Sequence, residues 1–129
     1  MQLLLDTHVV VWAILAPHRL TSAVAAILKD DVNELHVSPV SAYELIQKFR
    51  SGKWPEAAVL ATDFAGEIAL AGFEPLPLSL AVMVRAASFT GDHRDPWDRI
   101  LAAQSLISGF PLLSVDPMID AFGVDRIWA

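Results

Sequence analysis

There is no cysteine in these 129 residues. That removes disulfides and thiolate metal sites together, so any metal would have to be held by oxygen or by histidine nitrogen. The same absence fits a reducing compartment, and the expectation is a cytoplasmic protein. Positive charge is scarce: nine Lys and Arg face fifteen Asp and Glu, for a net charge of -6. Such a balance argues against a protein that holds nucleic acid by bulk electrostatics, but not against an enzyme that cuts it at a metal site.

Also lacking is a run fit to cross a bilayer. Hydrophobic residues make up 54% of the chain and mean hydropathy is +0.46, high for a soluble domain of this size. Yet the longest stretch free of Asp, Glu, Lys and Arg, residues 100–115, contains Gln104, serines, Gly109 and Pro111, and reads as helix, turn and strand. "MQLLLD" has no basic region ahead of its apolar residues, so no secretory signal and no membrane association are expected. The apolar surplus points instead to a covered surface, in a homodimer or against a partner protein. With no repeat, linker or low-complexity tract, the length fits a single domain, 1–129.

What is present is an alternation of short apolar runs and helical patterns. Residues 2–6 read as a buried strand, "THVVVWAIL" as a first helix or extended turn, and residues 21–31 as a helix with Thr21 as N-cap. Residues 35–38 read as a strand. Ser38 and Pro39 then open a helix to about Ser51, stopped by Gly52. Residues 55–72 read as one longer helix closed by Gly72, and residues 73–79 as a short strand or extended link, since two prolines make a poor central strand. Residues 79–89 are helical in pattern, "TGDH" is a loop, and residues 96–109 form a helix with proline near its start and glycine at its end. Residues 111–115 read as a strand ending in Asp116, and "DRIWA" as a last short strand. The fold class is therefore α/β, with a mostly parallel sheet covered on both faces and a functional crevice at the carboxyl ends of its strands.

Several acids fall where that crevice should be. Asp6 ends the first strand and Asp116 the "PLLSV" strand, while Asp95 and Asp98 sit in "HRDPWDR", in the loop and first turn before the helix that precedes it. Glu44 lies inside the helix beginning at Pro39, among largely apolar neighbours. Like charges ~5 Å apart at an effective dielectric of ~20 repel by about 3 kcal/mol per pair, so a gathering of carboxylates calls for protons or a cation. A hard divalent ion with open positions, Mg²⁺ or Mn²⁺, suits such oxygen donors and suits phosphodiester hydrolysis. Each acid also has a plainer reading. Asp6 with Thr7 could cap the following helix, Ser41 and Glu44 match a capping box, Asp98 favours a helix start, and Asp116-Pro117 is an ordinary turn.

"LLLDTHVVVW", "SPVSAYELIQKFRSGKW", "HRDPWDRILAAQS" and "PLLSVD" together resemble the PIN-domain ribonucleases, specifically the VapC-like toxins of bacterial toxin-antitoxin pairs. The resemblance runs over nearly the whole chain. It implies an α/β/α sandwich around a parallel sheet and an Mg²⁺- or Mn²⁺-dependent endoribonuclease whose RNA cleavage is blocked by a cognate antitoxin. Carried over by position, the family's acidic quartet falls on Asp6, Glu44, Asp98 and Asp116. Asp6, Asp98 and Asp116 would hold the metal, and Glu44 would complete the shell or orient the attacking water. Asp95 is the second choice for the third position. Thr7 and Arg99 are accessory candidates, and Lys48, Arg50 and Lys53 are candidate RNA contacts, with a solvated helix end as the alternative for those three. Tyr43 stands where relatives often carry tryptophan. His8, His18, His36 and His93 show no metal-ligand spacing and are left out of the site.

Two other readings compete. A phospho-accepting receiver also places aspartates at strand ends, but it needs a lysine after a late strand, and the lysines here are Lys29, Lys48 and Lys53. A PIN fold acting only as a binding module would share the fold without the chemistry.

Overall fold

The computed structural model describes residues 1–91 and 95–129; His93 and Arg94, and with them part of the "TGDH" loop, lie outside the described residues. The chain opens with β1 (Gln2–Leu5), whose Leu3, Leu4 and Leu5 are wholly buried because both faces of the strand are covered. Through Asp6 it enters α1 (Thr7–Leu15) directly. A 3-10 turn at Pro17–Arg19 leads to α2 (Ser22–Lys29), where the Thr21 hydroxyl accepts from the Val24 amide, and then to β2 (Glu34–Val37). Ser38 caps α3 (Pro39–Arg50) through the Val40 amide, and Gly52, at φ 80°, carries the chain away in a conformation that suits glycine.

Residues 55–72 do not form the single helix that their pattern suggests. A 3-10 turn at Pro55–Ala57 is followed by α4 (Ala58–Thr62) and α5 (Phe64–Leu70), broken at Asp63, which takes φ -147° and ψ 71°. There the Asp63 carboxylate accepts from the Gly66 amide at 3.1 Å and offers the backbone an alternative to a continuous helix. Gly66 makes room for it, since a Cβ at that position would stand 2.2 Å from Asp63 Oδ2. β3 (Glu74–Pro75), α6 (Leu80–Ser88) and α7 (Pro96–Ser108) follow. β4 (Leu112–Leu113) is shorter than the run 111–115, and β5 (Arg126–Ile127) is the last strand. The ladder ends at Ser114 because the next amide, that of Asp116, bonds to the Ser114 hydroxyl at 3.1 Å.

All five strands are parallel, in the order β3-β2-β1-β4-β5. Leu4 lies between His36 of β2 and Leu112 of β4 in register. The chain builds outward from β1 to β3, then crosses to β4 and β5. The order therefore reverses between β1 and β4, the place where open sheets of this kind leave a crevice at their carboxyl ends. Alternation along β1 feeds two cores: Leu3 and Leu5 pack with Val9, Val10 and Val24 under α1 and α2, while Leu4 packs with Leu101, Ala102 and Ile119 under α7. Among the described residues no helix is long and apolar enough to cross a membrane.

The central strand should be the least forgiving part of the fold. Leu4→Ala is expected to cost about 2–5 kcal/mol in denaturant unfolding. Leu70→Ala, at a side chain 84% exposed, should stay within about 0.5 kcal/mol.

Candidate active site

The ends of β1 and β4 deliver the first two acids. Asp6 is 6% exposed, and its Oδ2 accepts a 2.6 Å hydrogen bond from the hydroxyl of Ser114, which is itself fully buried. The same hydroxyl accepts from the Asp116 amide, so one serine ties both acids across the switch point. Asp6 makes no side-chain capping bond to α1. Burial pushes its carboxyl above the usual carboxylate range. The Ser114 hydroxyl and nearby His8 pull it back, Glu44 raises it further, and the Thr7 amide lowers it.

Asp116 caps the 3-10 turn Pro117–Phe122, its Oδ1 accepting from the Met118 amide at 2.9 Å. Arg126 braces that loop. Its Nε and Nη2 reach the two carboxylate oxygens of Asp120 at 2.7 and 3.1 Å, and its Nη1 donates to the Ser114 carbonyl at 3.1 Å. The bidentate guanidinium holds the Asp120 carboxyl below its ordinary value.

Glu44, 5% exposed, rises from α3 and pairs with Lys48 one turn later at 2.5 Å. The capping-box alternative for this glutamate is not realised: Ser38 caps α3, and the Ser41 hydroxyl is bonded at 2.8 Å to that of Thr7, both fully buried. Thr7 thus neither caps α1 nor presents a free hydroxyl to a phosphate; it fastens α1 to α3. Asp95 is the N-cap of α7, its Oδ1 accepting from the amides of Trp97 at 2.9 Å and Asp98 at 3.4 Å. Asp98 sits half-buried in the first turn. Trp97 packs on the α7 core and lies 5.2 Å from Tyr43. Arg99 donates from Nε to the Ala86 carbonyl at 3.1 Å and from Nη2 to the Phe89 carbonyl, tying α7 to α6.

These elements place Asp6, Glu44, Asp95, Asp98 and Asp116 around one groove of about 410 Å³, with His8, Trp12, Lys48 and Val115. Among the described residues no three His, Asp or Glu side chains stand close enough together to grip one ion. The donor set is nonetheless all hard oxygen, and a buried carboxyl with a raised pKa is a group whose negative charge lacks compensation, so the residues fit a hard divalent cation. Of the basic residues, Lys48 lines the groove and Lys53 the hollow beside it, whereas Arg50 borders a separate hollow with Tyr43, Ile46, Gln47 and Ser51. Sequence reasoning missed Ser114 and set His8 aside. The one signal for each was position, two residues from an acid at a strand end.

The sequence matches the family described as "PIN domain" over residues 3–124. No curated protein matches it. Among solved structures the chain is similar to one in VapBC2 from Rickettsia felis, bound to a DNA fragment from their promoter, at 15% identity and a TM-score of 0.69, each chain covered over 100% of its length. That likeness is one of fold.

Because Asp6 holds its proton more tightly folded than unfolded, it favours folding fully below the model-peptide value of 3.8, and this contribution is lost as pH rises through the folded value. In EDTA, Asp6→Asn should therefore raise Tm at neutral pH, with the gap to wild type closing below pH 3.8. A lower Tm for the variant at pH 7 would contradict the burial account.

Proposed function

The chain belongs to the PIN-domain family, and from that premise we propose that it is a metal-dependent endoribonuclease that hydrolyses RNA phosphodiester bonds in the acidic groove. The observation that carries the reading is the gathering of five carboxylates, one of them buried with its pKa driven up, around a single groove between β1 and β4. Such an arrangement supplies the hard oxygen donors that a divalent cation takes.

Asp6, Asp98 and Asp116 would hold Mg²⁺ or Mn²⁺, directly or through water, and Glu44 would complete the shell or orient the attacking water. When bound, the ion supplies an activated water and neutralises charge on the scissile phosphate. The chain's own residues prepare for this. Ser114 orients the Asp6 carboxyl by donating to Oδ2, and the same hydroxyl fixes the backbone at Asp116. Asp95, by capping α7, sets the turn from which Asp98 projects. Lys48 pairs with Glu44 and lines the groove, where its ammonium is placed to meet a phosphate oxygen. The likeness in fold to VapBC2 supports a toxin role with a cognate antitoxin that covers the groove. Exposed apolar side chains such as Tyr43, 63% exposed, support a dimer. The receiver-like reading loses ground because Lys29, Lys48 and Lys53 all precede β3.

Purified protein incubated with a mixed RNA pool should cut in Mg²⁺ or Mn²⁺ and not in EDTA, and Asp98→Asn should cut at least about 100-fold more slowly. Full activity in Asp98→Asn would sink the assignment. Mn²⁺ at 100 times its Kd should stabilise the wild type by about 2.7 kcal/mol, read as a rise in Tm, and Asp98→Asn much less. No Mn²⁺ effect in either protein would favour a binding module without catalysis.

A further inference from the structure

Three hollows meet at His8. Its exposed ring lines the acidic groove and borders two neighbours, of about 320 and 330 Å³, each of which also includes Trp54 and Glu56. These volumes fall at the small end of ligand-sized sites. The imidazole lies over Trp54, with ring centres 4.9 Å apart and planes tilted 35°, and meets the edge of Trp12 at 5.7 Å. One turn of α1 separates positions 8 and 12, which puts both rings on one side of the helix. The backing is firm: Trp54 is 8% exposed, and Trp12 is held by Trp128 at 6.1 Å and by the Arg19 guanidinium at 5.9 Å.

We propose that His8, seated on Trp54 and flanked by Trp12, is a stacking platform for the nucleobase next to the phosphate held in the acidic groove. This deepens the nuclease reading and rests on it. A chain of net charge -6 has little long-range attraction for RNA, so affinity must come from local contacts. Base stacking on an aromatic face supplies such a contact without regard to sequence. Charge sorts the hollows further. Glu56, which lines both, repels a phosphate but accepts a hydrogen bond from a base amino group, while Lys53 in one and Arg19 in the other suit flanking phosphates. A base must leave its helix to stack there, so the platform selects single strands and loops over duplex.

The test is fluorescence anisotropy in Mg²⁺ with a labelled, phosphorothioate-linked single-stranded 10-mer that resists cutting, and with the same sequence as a duplex. His8→Ala should weaken single-strand binding by about tenfold or more and leave duplex binding unchanged, whereas His8→Phe should bind within about twofold of wild type. Thermal melts matched to wild type confirm that each variant is folded. Single-strand binding by His8→Ala equal to wild type, His8→Phe as weak as His8→Ala, or a wild type that binds no single strand would each overturn the platform. The nuclease assignment is judged separately, by RNA-pool cleavage in wild type and Asp98→Asn. Cutting that depends on Asp98 alongside normal binding by His8→Ala removes the platform alone. Binding that depends on His8 in a protein that cuts nothing removes the nuclease alone.

Discussion

A carboxylate buried at the end of the central strand is the constraint around which this molecule is arranged. An ionised carboxyl taken out of water costs several kcal/mol even after its surroundings relax. The hydroxyl that donates to Asp6, that of Ser114, is neutral and orients the group without cancelling its charge. Lys48, the cation in the groove, is engaged by Glu44 instead. Asp6 is therefore left to take up either a proton or a metal ion. The topology puts it there: β1 is central, its neighbours β2 and β4 belong to opposite halves of the chain order, and the crevice between them opens at the residue that follows Leu5.

Much of the remaining structure serves to hold the other acids at that opening. Asp95 caps the helix that carries Asp98, and Arg99 anchors the same helix to the carbonyls of Ala86 and Phe89. Arg126 spans the last strand and the loop of Asp116. The Thr7 and Ser41 hydroxyls join the helices that follow Asp6 and carry Glu44. The two aspartates and the arginine of "DPWDR" are thus parts of one frame, in which some side chains face the groove and others fix the backbone that aims them.

The alternation of strand and helix, and the acids at its turning points, were legible because both are local patterns: apolar runs of strand length, caps such as Thr21 and Ser38, and an Asp at the end of an apolar run. What stayed hidden depends on contacts that sequence spacing does not express. The break at Asp63 comes from one side chain outcompeting an otherwise helical pattern, with Gly66 as its only cue. β4 stops early because the Asp116 amide turns to the Ser114 hydroxyl, which itself donates to Asp6, 108 residues away. His8 was set aside because its spacing suits no metal, and its actual neighbours are aromatic rings brought in by other segments.

The hydrogen bond between Ser114 and Asp6 also makes the site depend on two separate pairings of one strand. β1 pairs with β2 on one side, which brings together the segments that lead into Asp6 and Glu44. The other side of β1 pairs with β4, and without Ser114 and Asp116 the groove lacks one wall. Whatever chemistry the acids perform thus requires both sides of β1 to be paired, and a chain in which β4 has not docked has no complete site, however well the rest is folded.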